Sequence, residues 1–288
     1  MSAHWRSCPA KRRRWGLGWH FKFAEIVVAR DTEAHLFNIP YLHRIREEEL
    51  KEVIRELPRG ARVLDFGAGS GHQAAILRSE GFEVTAIDLA NSDYSNHTAF
   101  EIIHYDGKRI PLPDDSVDVI FSSNVLEHVE NLSTVLSEFA RVLRSDGIEL
   151  HLMPTPGWRF WTFIAGVPTA AIATASFLVH LFKKLPPGTR SSALLKDLKT
   201  AAGSILPIGH GTSSEGISEL WTFSVRAWKR RFRNNGHKVI EDRGLGIFYT
   251  GHMLFGERLS FANRRRLSRT LGSAVHMYRV RPKSGVVG

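Results

Sequence analysis

The chain has 288 residues, of which 43% are hydrophobic. This is enough for one large domain or two small ones with a real core, and it excludes a globally disordered protein. The single cysteine, Cys8, excludes a disulfide framework within the chain and a cysteine-rich zinc cluster. The net charge of +10 predicts an anionic partner, which could be nucleic acid, a membrane surface or an acidic substrate, although solvated basic faces would explain it equally well.

The basic residues are concentrated in three clusters, at 11–22, 226–233 and 264–269. The first belongs to a basic N-terminal extension, residues 1–40. Because no apolar stretch follows the basic start, the sequence predicts no secretory signal, and a cytoplasmic protein is expected.

Strands and helices alternate along the chain. Apolar spacing predicts a helix over 41–57 and a strand over 61–66, then a helix over 72–81 and strands over 82–88, 101–106 and 117–123. A helix over 132–147 and a strand over 148–156 follow. Later come a helix over 223–236, capped by Ser224, and strands over 237–242 and 274–280. This order predicts an α/β fold with a parallel sheet and helices on both faces.

A glycine-rich turn follows the first strand in the stretch VLDFGAGSG, residues 63–71. Such a turn brings backbone N–H groups close to a ligand. The glycines recur at every second position, unlike the G-x-G-x-x-G of dinucleotide sites. Asp65 would face a pyrophosphate unfavourably, so the turn suits a ligand with an ammonium group and no phosphate. A carboxylate that merely caps the turn is the alternative.

Two further acids end the next strands. Asp88 closes the second strand, where a carboxylate can accept hydrogen bonds from ribose hydroxyls, and Asp106 closes the third. Because ligands of α/β sheets bind at the carboxyl ends of the strands, the three acids predict a binding edge.

Together with VTAIDLA and HYDGKRIPLPDDSVDVIFSSNVLEHVEN, this pattern resembles class I S-adenosylmethionine-dependent methyltransferases of the subgroup that acts on small molecules and lipid intermediates. The resemblance covers residues 45–156 well and 218–242 more weakly. It implies a Rossmann-like sheet of seven strands, mostly parallel with the last antiparallel, and S-adenosylmethionine as cofactor. The implied cofactor site consists of Asp65, Gly67, Ala68, Gly69, Gly71, Asp88, Leu89, Asp106, Gly107 and Asn124.

The sequence indicates less clearly which residues would contact the methyl acceptor. His210, in a glycine-rich loop, is the predicted base or acceptor contact, with a solvated loop histidine as the alternative. Relatives that methylate polyprenyl catechols hold a divalent metal with E-x-x-E-H, but here Asn124 replaces the first carboxylate before Glu127 and His128, so no metal is predicted. His151, inside a strand, is expected to be packed.

An uncharged stretch, residues 160–182, lies in an apolar insert at 157–215. Its length would span a membrane, but the strands on either side should share one sheet, and Pro168 is expected to split it into two pieces. Two interpretations stay open: a helical hairpin over the acceptor pocket or against another subunit, or an element that dips into one leaflet, which would make the protein peripheral on a membrane.

The domain prediction is therefore a methyltransferase domain over 41–288, with a cofactor half at 61–156 and a C-terminal part at 216–288. The latter contains a second insert, 244–272, which either closes over the acceptor with His252 or packs in the core. The predicted function is methylation, on oxygen by analogy with the subgroup, of a small-molecule, glycan or lipid-linked acceptor. An RNA methyltransferase, a nicotinamide oxidoreductase and a non-catalytic membrane adaptor are the alternatives.

Overall fold

The computed structural model describes residues 39–90, 99–182, 189–205, 210, 216–253 and 255–283. The basic extension therefore lies almost entirely outside the described residues, and so does its cluster at 11–22.

Seven strands form one sheet in the order β3-β2-β1-β4-β5-β7-β6. The strands are β1 (Arg62–Phe66), β2 (Glu83–Leu89), β3 (Ile102–Tyr105), β4 (Val117–Ser123), β5 (Leu143–Pro154), β6 (His237–Gly244) and β7 (Val275–Pro282). β1 to β5 pair in parallel, whereas β7 is antiparallel to both β5 and β6. The predicted fold class, including the antiparallel last strand, is confirmed.

Eight α-helices are found among the described residues. They are α1 (Ile39–Ile54), α2 (His72–Ser79), α3 (Leu132–Val142), α4 (Pro156–Phe182), α5 (Thr189–Ile205), α6 (Glu219–Thr222), α7 (Val225–Asn234) and α8 (Phe261–Leu271). Short 3-10 turns lie at Leu126–His128 and Gly256–Arg258.

The sheet is buried on both faces, which explains why its central strands are almost continuously apolar. Val63 of β1 packs into one core cluster with residues of α1 and α2, whereas its neighbour Leu64 packs into a second cluster with residues of α3 and α7. Because side chains alternate across a strand, the pattern assigns the helices to opposite faces, as predicted.

The helix predicted over 132–147 is shorter than expected and ends at Val142. The chain continues at once as β5, whose Leu143 is buried and pairs with Val117 of β4. A Cβ at Gly147 would lie 2.9 Å from the carbonyl oxygen of Asp118, so the glycine permits this close passage. The predicted cap of α7 is confirmed, since Ser224 Oγ accepts a hydrogen bond from the Ala227 N–H at 3.2 Å.

The apolar insert differs from the prediction. Pro168 does not split it: α4 runs unbroken through the proline for 27 residues. The hairpin forms instead between α4 and α5, a helix that the sequence analysis missed. Small buried residues of α4 let α5 approach closely, because a Cβ at Gly166 would come within 2.2 Å of the Ser204 carbonyl oxygen. This packing along α4 holds the helix together despite the hydrogen bond that Pro168 cannot make.

α4 is long and apolar enough to cross a membrane by length and composition, and 39% of its most apolar window is buried. Its exposed face carries large apolar side chains, including Phe160, Ile164, Val167 and Leu178.

Candidate active site

The turn after β1 has the backbone geometry that its glycines permit. Gly67, Gly69 and Gly71 all have positive φ angles, of 74°, 57° and 70°. The Gly67 and Ala68 N–H groups both donate to the Ile87 carbonyl oxygen, at 2.9 and 3.0 Å, which ties the turn to β2. Because non-glycine residues rarely adopt such angles, this path requires the observed glycines.

Space as well as conformation restricts the turn. A Cβ at Gly67 would lie 2.6 Å from the side chain of Val125, and one at Gly71 would lie 2.7 Å from that of Phe100. Val125 follows β4, so the glycine turn and the segment after β4 are in close contact.

Asp65 lies in β1 directly before this turn and is 2% exposed. Its Oδ2 has no hydrogen-bond partner among the residues that the structure describes. Burial, with the nearby charge of Asp88, raises the pKa of the Asp65 carboxyl to about 7. A buried carboxylate in this state favours a cationic neighbour, as the sequence analysis predicted for an ammonium group.

Asp88 and Asp106 end β2 and β3, as predicted. Asp88 Oδ2 accepts from the Gly69 N–H at 2.7 Å, so this side chain also braces the glycine turn. Asp106 accepts from the N–H groups of Lys108 and Arg109, and these bonds hold the pKa of Asp106 below its usual range.

Leu89 and Gly107 line the same edge. Leu89 is 49% exposed, and a Cβ at Gly107 would lie 3.1 Å from its Cδ2. The structure therefore gathers the predicted residues from three strand ends along one edge of the sheet.

Asn124, at the end of β4, is held in a positive-φ conformation. With its amide oxygen turned toward Arg46, it accepts from Nη1 and Nη2 at 2.7 and 3.2 Å. Arg46 also donates to Glu49 Oε2 at 2.6 Å, and Tyr249 donates to Glu49 Oε1 at 2.9 Å. This buried network, which the sequence analysis missed, links α1 to the second insert beside Asn124.

Glu127, His128 and His210 form a cluster just beyond Asn124. Their ligand atoms all lie within 4.8 Å of one another, and the Nε2 atoms of both histidines are 3.9 Å from Glu127 Oε1. The His128 and His210 rings meet edge to face with centroids 4.7 Å apart, and Trp158 packs against His210 at 5.1 Å. The predicted residue His210 therefore meets a carboxylate whose burial the sequence did not reveal.

The electrostatics of this cluster are unusual. Burial, reinforced by Glu219, raises the pKa of the Glu127 carboxyl to about 8, although Arg46 opposes the shift. Burial, with the charges of His128, Arg159 and Arg46, lowers the pKa of His210 to about 4. At neutral pH both imidazoles are therefore uncharged, since burial also lowers the pKa of His128.

A buried ion pair positions His210. Glu219 of α6 accepts a hydrogen bond from the His210 backbone N–H, and its Oε2 lies 2.8 Å from Arg159 Nε. Arg159 is 5% exposed although it opens the apolar helix α4. The sequence signal for the Arg159–Glu219 pair is a single arginine directly before the uncharged stretch 160–182.

Other predicted residues have structural roles. His151 is fully buried, as expected, and contacts Ser122 and Glu149 through its two ring nitrogens at 2.8 and 3.0 Å. The second insert packs in the core through Leu245, Ile247 and Tyr249, which supports the core-packing alternative for that part of it.

A protein-family model described as "Methyltransferase domain" matches residues 64–150. This stretch contains the glycine turn and the three strand-end acids described above. The chain contains a class I S-adenosylmethionine-dependent methyltransferase domain. The prediction of the family is confirmed, and with it the enzyme class and the cofactor that the family uses.

Curated relatives match about a third of the chain. The chain is 42% identical over 95 residues to a malonyl-[acyl-carrier protein] O-methyltransferase of Yersinia pestis, covering 32% of this chain and 36% of the relative. It is 36% identical over 116 residues to a protein of the same name from Methylococcus capsulatus, covering 37% and 42%. The chain thus matches less than half the length of these relatives.

Among solved structures, the methyltransferase in complex with the Haloferax volcanii Trm112 methyltransferase activator is 15% identical. The alignment covers 93% of this chain and 97% of the matched chain, with a TM-score of 0.48.

The residues of the methyltransferase edge fit S-adenosylmethionine. The ammonium of its methionine part would supply the missing partner of Asp65 Oδ2, and the glycine turn leaves room for backbone contact. Asp88 and Asp106 offer carboxylate oxygens at the strand ends where ribose hydroxyls and an adenine amino group need acceptors. These individual assignments stay predictions.

Proposed function

We propose that the chain transfers a methyl group from S-adenosylmethionine to an oxygen of a small-molecule, glycan, lipid-linked or carrier-linked acceptor. The observation that carries this proposal is the segment 124–128. Its Val125 contacts the glycine turn of the donor edge. Glu127 and His128, two and three residues after Val125, lie next to His210. One short segment therefore borders both halves of a transfer site.

The chemistry is an in-line displacement. A lone pair of the acceptor oxygen forms the new O–CH₃ bond while the C–S⁺ bond breaks, and its electron pair stays on sulfur to give S-adenosylhomocysteine. A hydroxyl acceptor also releases its proton to a base or to water, whereas a carboxylate has none to lose. Because the donor is already activated, the protein's contribution is to orient both groups and exclude water.

His210 is the proposed acceptor contact. Its imidazole is neutral at physiological pH and can accept a hydrogen bond from an acceptor hydroxyl. A pKa of about 4 makes it a weak base, so positioning is its larger contribution. The names of the two relatives, both O-methyltransferases, support an oxygen acceptor.

The experiment is a transfer assay with methyl-labelled S-adenosylmethionine. Malonyl-[acyl-carrier protein] and extracts separated into lipid and polar fractions serve as acceptors. We expect label in an acceptor fraction and a loss of roughly tenfold or more in His210→Ala, on the scale of lost general acid–base or positioning contacts. We expect no loss in His276→Ala, which changes a histidine of β7 that pairs with Asp242. Absence of transfer to every fraction would contradict the proposal, and full activity of His210→Ala would remove that residue from it.

Membrane contact is a further proposed property. The exposed face of α4 is apolar along most of its length, and cations such as Lys196 and Lys199 lie on the adjoining α5. Co-sedimentation with anionic vesicles, compared between wild type and Val167→Asp, tests it. Equal binding of both proteins would contradict contact through this face.

A further inference from the structure

The strongest unexplained feature of the molecule is the carboxyl group of Glu127. Its side chain is fully buried, and neither of its oxygens has a hydrogen-bond partner within the described part of the chain. An unpaired buried carboxyl costs several kcal/mol or more as an ion in a nonpolar environment, so such groups normally have a partner. Among the described residues, neither Arg46 nor either histidine donates a hydrogen bond to it, and the histidine nitrogens lie 3.9 Å from its Oε1.

We propose that Glu127, His128 and His210 bind a divalent transition-metal ion at the acceptor end of the active site. Two imidazoles and one carboxylate are a ligand set that suits Zn²⁺, Fe²⁺ and Co²⁺, and it leaves further coordination positions for other ligands.

The geometry agrees with a three-residue site. Metal bonds of about 2.0–2.2 Å place neighbouring ligands of a tetrahedral ion roughly 3.4 Å apart. The two Nε2–Oε1 separations are 3.9 Å and need to close by about half an ångström. The ligand nitrogens of the two histidines lie within 4.8 Å of each other and need to close by up to about 1.4 Å, which rotation of the two partly exposed side chains can supply.

The ligands come from elements that the fold already fixes. Glu127 and His128 lie on the 3-10 turn directly after β4, and the backbone N–H of His210 is held by Glu219, itself paired with Arg159. Glu127 approaches from the interior, while the side chains of His128 and His210 are 47% and 40% exposed. The outer side of the site is therefore accessible to an ion and to an acceptor.

The sequence-based prediction of no metal rested on Asn124, which replaces a carboxylate ligand of the E-x-x-E-H pattern. The structure shows that Asn124 faces Arg46 instead, and that a histidine more than 80 positions later along the chain lies within reach of Glu127. The third ligand of the proposed site is thus supplied by the insert.

When bound, such an ion would replace the direct contact of His210 with the acceptor, because the ring nitrogen lone pair would be bound to the metal. The ion would polarise an acceptor oxygen and ease the loss of its proton. This use of the ion rests on the proposed function, but binding of the ion itself does not.

The test is titration of the metal-stripped full chain with Co²⁺, followed by visible absorption and by calorimetry without any cofactor. We expect one equivalent to bind with d–d bands of a nitrogen- and oxygen-ligated ion. We expect His210→Ala and Glu127→Gln to bind at least about 100-fold more weakly, more than the 10–100-fold seen for outer-shell changes. His276→Ala, which changes a histidine of β7 that pairs with Asp242, should bind as the wild type does.

Two controls keep the result interpretable. S-adenosylmethionine affinity of each variant, measured separately, shows that it has folded, and it distinguishes failure of the proposed function from failure of this site. Wild-type binding of Co²⁺ by folded His210→Ala and Glu127→Gln would overturn the proposal, and so would absence of Co²⁺ binding by a wild-type chain that binds S-adenosylmethionine.

Discussion

The proposed donor edge and the proposed acceptor site are built in different ways. The donor edge collects residues from the ends of β1, β2 and β3, within one stretch of the chain, 65–107. The proposed acceptor site collects Arg46 from α1, Glu127 after β4, Arg159 from α4 and His210 from the insert. Residues close in sequence can specify a site through local spacing, whereas a pocket drawn from distant segments depends on how the whole chain packs.

The comparison predicts that the two halves can be disabled separately. Changes to the glycine turn should abolish donor binding, and changes to the α4–α5 hairpin should impair turnover with donor binding intact.

The largest effect is expected for Gly67→Ala. A Cβ there has an unfavourable positive φ and also overlaps Val125 at 2.6 Å. Conformational strain of about 1–2 kcal/mol and overpacking of about 1–3 kcal/mol should displace the turn. We expect S-adenosylmethionine affinity to fall about 100-fold or more, as measured by calorimetry.

Gly60→Ala is the matched control. Gly60 also has a positive φ, of 65°, but no atom lies within 4 Å of its added Cβ. It should lose stability through conformational strain and keep donor affinity. Equal loss of affinity in both variants would mean that the turn is not a binding element.

The second effect is a pH dependence of donor binding. Because the pKa of Asp65 is raised to about 7, its carboxyl is protonated below that pH and must ionise to pair with an ammonium. Affinity should therefore fall about tenfold per pH unit below 7 and level off above it. Asp65→Asn should bind weakly at every pH, and a wild-type profile that is flat between pH 5.5 and 8 would contradict the assignment.

The same shift has the opposite consequence for the free protein. An acid whose pKa is higher in the folded state than in the unfolded state contributes stability below its unfolded pKa, and this contribution is lost as pH rises through 7. The thermal midpoint of the ligand-free protein should therefore fall as pH rises from the unfolded pKa to about 7. Asp65→Asn should remove this fall, and saturating S-adenosylmethionine should offset it.

The third effect concerns the acceptor half. In Gly166→Ala, the added Cβ would meet the Ser204 carbonyl oxygen at 2.2 Å and push α5 away from α4. Turnover should fall several-fold to tenfold because the proposed acceptor site, which includes His210 from the insert, is displaced, whereas donor affinity should stay unchanged. Gly203→Ala, whose Cβ has open space, should keep full turnover and gain up to about 1 kcal/mol of stability from helix propensity. Weakened donor binding in Gly166→Ala would contradict the separation of the two halves.

The smallest effect is expected for Ser224→Ala, which removes the cap of α7. The free energy of unfolding should drop by about 1 kcal/mol in denaturant titration, because the Ala227 N–H loses its acceptor. Donor affinity should not change, since Ser224 and α7 lead into β6, which lies at the opposite edge of the sheet from β3. An unchanged unfolding midpoint would show that water replaces the cap without cost.

The sequence allowed the sheet and the donor edge to be predicted because strand periodicity, glycine spacing and strand-end acids are local signals. The burial of Glu127 could not be predicted, because its neighbour His128 is exposed. Which of the two side chains points into the interior depends on how the turn after β4 lies against the rest of the molecule. The predicted break at Pro168 was wrong because packing of α4 against α5 outweighs the tendency of proline to interrupt a helix. Arg46 was predicted as part of an ordinary amphipathic helix, and its contact with Asn124 depends on where α1 lies against the sheet.

The central claim is that the edge formed by β1, β2 and β3 binds S-adenosylmethionine. The most direct measurement is calorimetric titration of the full chain with S-adenosylmethionine, S-adenosylhomocysteine and NAD, with Asp88→Ala alongside. Binding of the first two ligands and not NAD, weakened about 10–100-fold in Asp88→Ala by loss of a charged hydrogen-bond acceptor, is the predicted result. Binding of NAD alone, or equal affinity of Asp88→Ala and wild type for S-adenosylmethionine, would contradict it.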